Sequence, residues 1–296
     1  MSRRISLVVN PTAGRGRAPK LLAAVEARLR AAGAQVETLA TTSYDDAATQ
    51  MAAAVGSGTD VLAVMGGDGM MHLGLNACAD PSGQSRTALG MIPAGTGNDL
   101  CRGLGVDPGS PLAAAGAAVD GQRRVLDLIR VADRYVGAVV AVGFDAQVNA
   151  RANAMPWPKG SLRYTVAALA ELRGFAPLSY RLTLDGEVRE QQAMLVAIGN
   201  TTTYGGGMRI CPRADPTDGF LDVTIIHPVN RLKLLQLLPQ MRSGRFARDR
   251  CVEQLRVRRV SIDGPGLTAF GDGELVGVTP LVIEVAPAVV PVMLPA

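Results

Sequence analysis

The 296 residues suffice for one large domain or two ordinary ones, and 48% apolar with 4% aromatic content fits a globular enzyme rich in Ala, Val and Leu. No uninterrupted apolar run reaches the ~20 residues of a membrane span, and Met1-Ser2-Arg3-Arg4 runs into a strand without a signal-peptide core. Cys78, Cys101, Cys211 and Cys251 form no CxxC pair and read as reduced thiols of a cytoplasmic protein; two histidines, His72 and His227, exclude a multi-histidine metal site. The net charge of +4 is modest, and no nucleic-acid partner is expected.

The first part of the chain alternates strand and helix. Ile5–Val9 is an apolar strand, and the helix from about Ala18 to Ala32 carries Leu21, Leu22, Val25 and Leu29 on one face before stopping at Gly33. Val36–Leu39 is the second strand, followed by a helix with Asp45 and Asp46 in its first turn, where acidic groups favour the dipole. Val61–Met65 and Leu89–Ile92 are further strands, with a helix Met70–Ala79 between them and a short helix after Asp99. This alternation predicts an open α/β domain with a parallel sheet over residues 1–125.

From residue 126 to 285 the texture changes to β-branched, alternating runs: Val125–Val131, Tyr135–Val142, Tyr180–Leu184, Ala193–Ile198, Leu221–Ile226, Val257–Ile262 and Leu281–Val285. Helices at about Ser161–Arg173 and Arg231–Met241 interrupt them. A second, mainly antiparallel β domain is expected, with the apolar tail 286–296 packing back on the first. Arginines cluster at Arg242–Arg250 and Arg256–Arg259. They read either as a solvated face or as attraction to an anionic membrane or polyphosphate.

Glycine-rich loops follow three of the first-domain strands: Asn10-Pro11-Thr12-Ala13-Gly14-Arg15-Gly16, Gly66-Gly67-Asp68-Gly69 and Gly95-Thr96-Gly97-Asn98-Asp99. In parallel sheets ligands bind at the carboxyl ends of the strands. Glycine allows close approach of backbone to a phosphate, and helix N-termini favour anions. An Asp there serves Mg2+, or a water on it, rather than the phosphate itself. The set points to a nucleotide triphosphate site for phosphoryl transfer. Singly, each loop is also a plain strand-to-helix turn, capped by Asp68 in one case and by Asn98 or Asp99 in the other. In the second domain, Asp215 and Asp218 before Phe220 read as a hard-cation site or as an Asp-rich turn. Asp272-Gly273-Glu274 and Asp185-Gly186-Glu187 both have hairpin spacing, and spacing alone does not separate them.

Taken in order with Gly143-Phe144-Asp145-Ala146, these motifs resemble the bacterial diacylglycerol kinase family of soluble lipid kinases, related to sphingosine kinases, over about Arg4 to Val285. The resemblance implies an N-terminal open α/β, Rossmann-like domain of the NAD kinase/phosphofructokinase type and a C-terminal antiparallel β-sandwich-like domain. It implies ATP and Mg2+ as cofactors and a diacylglycerol-like lipid as acceptor, with a phosphatidic acid-type product and a place in phospholipid biosynthesis. It places Asn10, Pro11, Thr12, Ala13, Gly14, Thr41, Gly66, Gly67, Asp68, Gly69, Met70, Met71, His72, Leu73, Gly95 and Thr96 at ATP. It implies that Asp68, Asp99 and Asp127 belong to a water–Mg2+ network and that Asp215, Asp218 and Phe220 hold a structural metal, the first and third through backbone carbonyls. Asp68 is catalytic, and Asp272 or Glu274 is the proton acceptor, with Asp272 slightly favoured. The family usually has Thr where Met70 stands, and Asn-Glu where His72 and Leu73 stand. His72 is then either a substitute donor or a helix residue facing polar loops. Transient contact of a cytoplasmic protein with a membrane surface is expected, and a homodimer is left open. The rivals are an NAD kinase-like enzyme, which shares Gly-Gly-Asp-Gly, and a non-catalytic nucleotide or lipid sensor.

Overall fold

The computed structural model describes residues 2–82, 85–143, 148, 151, 155 and 176–296. These fall into two compact units, Met1–Asp127 with Pro287–Ala296, and Leu128–Ala286. Phe144, Asp145 and Ala146 and the expected helix at Ser161–Arg173 lie outside the described residues.

In the first unit, β1 (Arg4–Val9), β2 (Gln35–Ala40), β3 (Val61–Gly66) and β4 (Ala88–Pro93) pair in parallel in the order β2-β1-β3-β4. Helices α1 (Arg17–Ala31), α2 (Tyr44–Gly56), α3 (Asp68–Cys78), α4 (Asp99–Gly103) and α5 (Pro111–Asp120) connect and cover them. β3 and β4 are buried throughout, as a parallel sheet covered on both faces requires. Side chains alternate across the sheet. Ile5, Leu7, Ala63 and Met65 share one core with Val25 and Leu29 of α1 and Ala115 and Ala118 of α5. Leu62 and Val64 face the other way, where α2 and α3 pack. There Gly74 permits close contact, since a Cβ would lie 2.6 Å from Val64 Cγ2. Each fully buried Leu or Met stabilises the unit by about 1.5–3 kcal/mol. Ser43 caps α2, its Oγ accepting the Asp46 N–H at 3.0 Å. Helix α5 has no counterpart among the expected elements, because its alanine-rich run carries little apolar periodicity.

The second unit takes up β5 (Gln122–Val131) at Leu128 and continues with β6 (Arg134–Val136), β7 (Val139–Gly143), β8 (Leu178–Leu184), β9 (Glu187–Ala193), β10 (Leu195–Gly199) and β11 (Leu221–Ile226). Then come α6 (Arg231–Met241), β12 (Val252–Val257), β13 (Arg259–Asp263), β14 (Thr268–Gly271), β15 (Glu274–Val278) and β16 (Leu281–Leu294). One antiparallel sheet has the order β12-β11-β10-β7-β14-β15. In the facing layer β13 pairs with β8 and with the start of β16, and β8 pairs with β9. Val140, Val196, Val223 and Ala269 from the first layer meet Leu182, Val260 and Ile283 from the second in one core. The architecture is α/β followed by an antiparallel β-sandwich-like unit. The end of β16 returns to the first unit, where Val292 and Met293 pair in parallel with Leu89 and Gly90.

Two expected strands are each divided. Tyr135–Val142 breaks at Gly137–Ala138, and Val257–Ile262 breaks at Arg258. At both breaks the chain leaves one sheet for the other. The alternation continues across the corner because both layers bury side chains in the same core. Strand β9 also lies outside the expected set: Glu187, Arg189 and Glu190 make it polar, as suits an edge strand that among the described strands is bonded only to β8.

Candidate functional site

The carboxyl ends of β1, β3 and β4 bring their glycine loops into contact. The Asn10 N–H donates to Met65 O at 3.2 Å, joining the first loop to β3. Gly66 O accepts from Ala94 N and Gly95 N at 2.8 and 3.0 Å, joining β3 to the third loop. The approach is close enough to demand glycine. A Cβ on Gly14, where φ is +60°, would lie 2.1 Å from Ala94 O. A Cβ on Gly95 would lie 2.4 Å from Gly67 Cα, and one on Gly97 would lie 2.2 Å from Asp68 Oδ2.

Asp68 locks this cluster. Its Oδ2 accepts the Asn98 N–H at 2.8 Å and its Oδ1 accepts the Asp99 N–H at 2.6 Å. The first residue of α3 thus caps the start of α4. Asn98 stands at the N-cap position of α4 as expected but makes no side-chain capping bond: φ is +57°, and its side chain turns back to Gly95, accepting from N at 3.2 Å and donating to O at 3.0 Å. The N-cap of α3 is Gly67, with no side-chain capping bond. The first-turn N–H groups of α3 therefore face outward between partly exposed Gly67, Asp68 and Gly69. This surface suits an anion. Gly95→Ala is expected to force the loop after β4 off the loop after β3 and to weaken nucleotide binding at least tenfold, read by calorimetry, whereas Gly16→Ala, with nothing within 4 Å of its Cβ, tests left-handed strain alone.

The remaining nucleotide candidates divide by burial. Thr96 is exposed on the third loop, and Thr12 is exposed on the first, its N–H and hydroxyl both donating to Asn10 Oδ1 at 2.9 and 2.8 Å. Pro11 is partly exposed and Ala13 is buried in the short turn that follows it, while Leu73 is partly exposed on α3. Thr41 is buried, its hydroxyl donating to Val9 O at 3.1 Å, so it braces the end of β1. Met70 and Met71 are buried; the Met70 Cβ and Cγ fill the space beside Gly66 that a Cβ there would need. Their side chains serve the core, and Met70 offers the site only backbone. His72 is buried, with its Nε2 3.4 Å from Asn76 Nδ2, which also donates to His72 O at 2.9 Å.

In the second unit, Asp272 and Gly273 form a two-residue hairpin turn with φ of +52° and +88°. The Asp272 carboxylate accepts from Gly137 N at 2.8 Å and Ala138 N at 2.9 Å. Asp185-Gly186 repeats the device. It turns between β8 and β9, and Asp185 accepts from Arg258 N and Arg259 N, at 3.0 and 2.8 Å to Oδ1. Both aspartates thus satisfy N–H groups at the corners where the chain changes sheets and the ladder lapses. Asp272, slightly favoured from the sequence as the proton acceptor, has each carboxylate oxygen accepting a backbone N–H. Glu274, half-buried at the start of β15, makes no hydrogen bond or ion pair with a described residue. The Gly137–Ala138 corner is held from its other side by Asn200, whose Nδ2 donates to Gly137 O at 3.0 Å. Asn200, Thr201 and Thr203 are buried polar residues that sequence reasoning missed. Their signal was a polar run, Asn200 to Thr203, directly after buried β10. Thr201 Oγ1 is buried without a hydrogen-bond partner among the described residues.

The expected metal residues arrange differently. Asp215 Oδ1 accepts from Thr217 N and Oγ1, and Asp218 Oδ1 accepts from Phe220 N at 3.0 Å. The other Asp218 oxygen is ion-paired with Arg256, and the Arg256 and Arg258 guanidiniums each lie 4.8 Å from the Phe220 ring centre. Burial pushes the carboxyl of neighbouring Asp222 up. As arranged, the turn closes on itself through these bonds, and a guanidinium balances the Asp218 carboxylate. Asp127 is buried, and its Oδ1 accepts the Ala288 N–H at 2.8 Å, tying the tail to β5. Among the described residues, no three His, Cys, Asp or Glu gather as metal ligands, so Asp68, Asp99 and Asp127 do not form such a group.

Residues 4–131 match the family profile described as the diacylglycerol kinase catalytic domain, and residues 138–294 match the YegS C-terminal NAD kinase beta sandwich-like domain. A protein of Mycobacterium tuberculosis named diacylglycerol kinase is 40% identical over 298 residues, covering 99% of this chain and 95% of that protein. One of Bacillus subtilis with the same name is 27% identical, covering 94% of this chain and 92% of that one. A solved structure of a diacylglycerol kinase from Bacillus anthracis shares the fold, with a TM-score of 0.75 at 20% identity over 99% of this chain and 97% of that chain.

Proposed function

Because the chain belongs to the diacylglycerol kinase family and is a kinase, we propose that it moves the γ-phosphoryl group of ATP, with Mg2+, to the hydroxyl of diacylglycerol or a related lipid. The product is of the phosphatidic acid type. The observation that carries this reading is the convergence of three glycine loops on the N-terminus of α3, fixed by Asp68. Such a cradle meets phosphate charge with backbone N–H groups in place before the reaction, which is where phosphoryl transfer gains most. Asn10 to Gly14, Gly67 to Gly69, Gly95 and Thr96 are the phosphate-facing residues. Mg2+, when bound, supplies positive charge to the phosphates.

Glu274 is the proton acceptor. The lipid hydroxyl oxygen forms the new bond to the γ-phosphorus, its proton passes to the Glu274 carboxylate, and the bond to the ADP oxygen breaks. Asp272 and Asp68 are positioning residues. The family's Thr hydroxyl is absent at Met70, so Thr96 and backbone donors carry more of the phosphate contact. The protein acts from the cytoplasm in transient contact with a membrane surface. The test is incubation with γ-labelled ATP and a panel of diacylglycerol, ceramide, a sphingoid base, a glycolipid and NAD. Label in the diacylglycerol product supports the reading. Label in NAD alone favours the NAD kinase-like rival, and ATP binding with no labelled product favours the sensor.

A further inference from the structure

Helix α6 has two apolar faces, and the fold covers only one. Leu234, Leu237 and Met241 are buried in the second unit. On the opposite side Leu232 is 71% exposed and Leu235 39%. Exposed Pro239 continues this stripe, and spacings of three and four residues put 232, 235 and 239 on one side of the helix. A single exposed leucine is ordinary, but an apolar stripe opposite an already buried one asks for a partner.

The charges around the stripe say which partner. Exposed Arg231 and Arg242 flank it at either end, and exposed Arg245, Arg248 and Arg250 follow in the turn that leaves the helix. None of these five guanidiniums forms an ion pair or hydrogen bond with a described residue. The one acidic residue between Pro228 and Arg250 is Asp249, and it is taken by Lys233 at 2.5 Å, which holds its carboxyl down to about 2. We propose that the outward face of α6 and the basic turn after it dock on an anionic lipid bilayer. The leucines enter the boundary between headgroups and acyl chains, and the arginines meet lipid phosphates. A second copy of this chain is the poorer occupant, because a two-fold contact would set arginines against arginines. Nucleic acid would satisfy the arginines and leave the leucines in water. The proposal rests on the lipid-kinase reading for its purpose: among the described residues no helix is long and apolar enough to cross a membrane, so a lipid acceptor must be met at the surface.

The test is co-sedimentation of the full chain, without ATP or diacylglycerol, with vesicles of phosphatidylcholine and of phosphatidylcholine mixed with phosphatidylglycerol. The parent is expected to bind the mixed vesicles, to ignore the neutral ones, and to be released by salt. Leu232→Ser with Leu235→Ser should weaken binding at least about tenfold, and loss of each arginine costs about fivefold. Arg242→Glu with Arg245→Glu should therefore weaken it by at least about twenty-fivefold. All four positions are exposed, so melting temperatures should match the parent. The proposal is overturned if the parent does not bind, if both double variants bind like the parent, or if the leucine variant splits a solution dimer and leaves vesicle binding intact. Vesicle binding by a chain that phosphorylates no lipid would leave docking standing and remove the kinase reading. Phosphorylation of short-chain diacylglycerol in solution, with no vesicle binding, would do the reverse.

Discussion

Asp68→Ala is expected to lose nearly all turnover and, in the same protein, to lower the melting temperature. The two losses have one cause. Both carboxylate oxygens are acceptors for the N–H groups of Asn98 and Asp99, and alanine leaves those partly buried donors unsatisfied. Each such loss costs about 1–3 kcal/mol. The cost falls on the Thr96–Asp99 loop, whose position against Gly67 defines the phosphate cradle. Removing a negative charge from the first turn of α3 costs about 0.3–1 kcal/mol more. Asp68→Asn separates geometry from charge. Its amide oxygen can accept one N–H, while its NH2 opposes the other, so it should fall between parent and alanine in melting temperature. Calorimetric ATP binding and thermal melts on both variants check this. A folded Asp68→Ala protein with parental activity would remove Asp68 from the site. Lost turnover with an unchanged melt would mean that Asp68 acts through charge on the nucleotide, and that its two bonds to the third loop are incidental.

The cradle was legible in the sequence because it is made of glycine. Gly14, Gly95 and Gly97 sit where a Cβ would collide with backbone or with Asp68, so the need for close approach is written as a residue type. The alternation of strand and helix gave the parallel sheet for the same reason: each period reports which side of an element is buried. What was not legible is which way a polar side chain turns. Thr41 reads as a ligand contact, and its hydroxyl holds Val9 O. Asn98 takes the helix-cap position it reads as, but its side chain closes its own loop. Asp218 reads as a cation ligand and instead pairs with Arg256. Each alternative partner is remote in sequence or lies in backbone, where no pattern of neighbours reports it. Asp185-Gly186-Glu187 and Asp272-Gly273-Glu274 are the sharpest case. They share spacing, turn conformation and the capping of a sheet corner. Only the third residue distinguishes them in space. Glu187 is held by Arg189 at 3.0 Å, whereas Glu274 keeps its carboxylate unengaged by described residues.

That difference decides the prediction for the proton acceptor. Glu274→Gln is expected to lower lipid phosphorylation by about 10²–10⁴-fold, the usual contribution of a general base, while leaving ATP affinity and the melting temperature near parental values. Glutamine keeps the shape and loses only the ability to take a proton. No bond to a described residue is broken, so there is no structural reason for the fold to weaken. Asp272→Asn should behave in the opposite sense. Asparagine tolerates the left-handed backbone at this position, so the turn itself survives. Its amide, however, accepts from only one of Gly137 N and Ala138 N and presents donors to the other. The corner between β6 and β7 then loosens, the melt drops, and turnover falls modestly because β15 begins two residues later. Asp185→Asn is the control, since it breaks the same kind of corner at Arg258–Arg259 away from the Glu274 turn. It should lower the melt comparably and leave turnover per folded molecule unchanged. If Asp272→Asn instead abolishes turnover with no loss of stability, and Glu274→Gln stays active, the proton goes to Asp272 and the corner bonds do not prevent it. If both variants phosphorylate lipid at the parental rate, neither carboxylate accepts the proton.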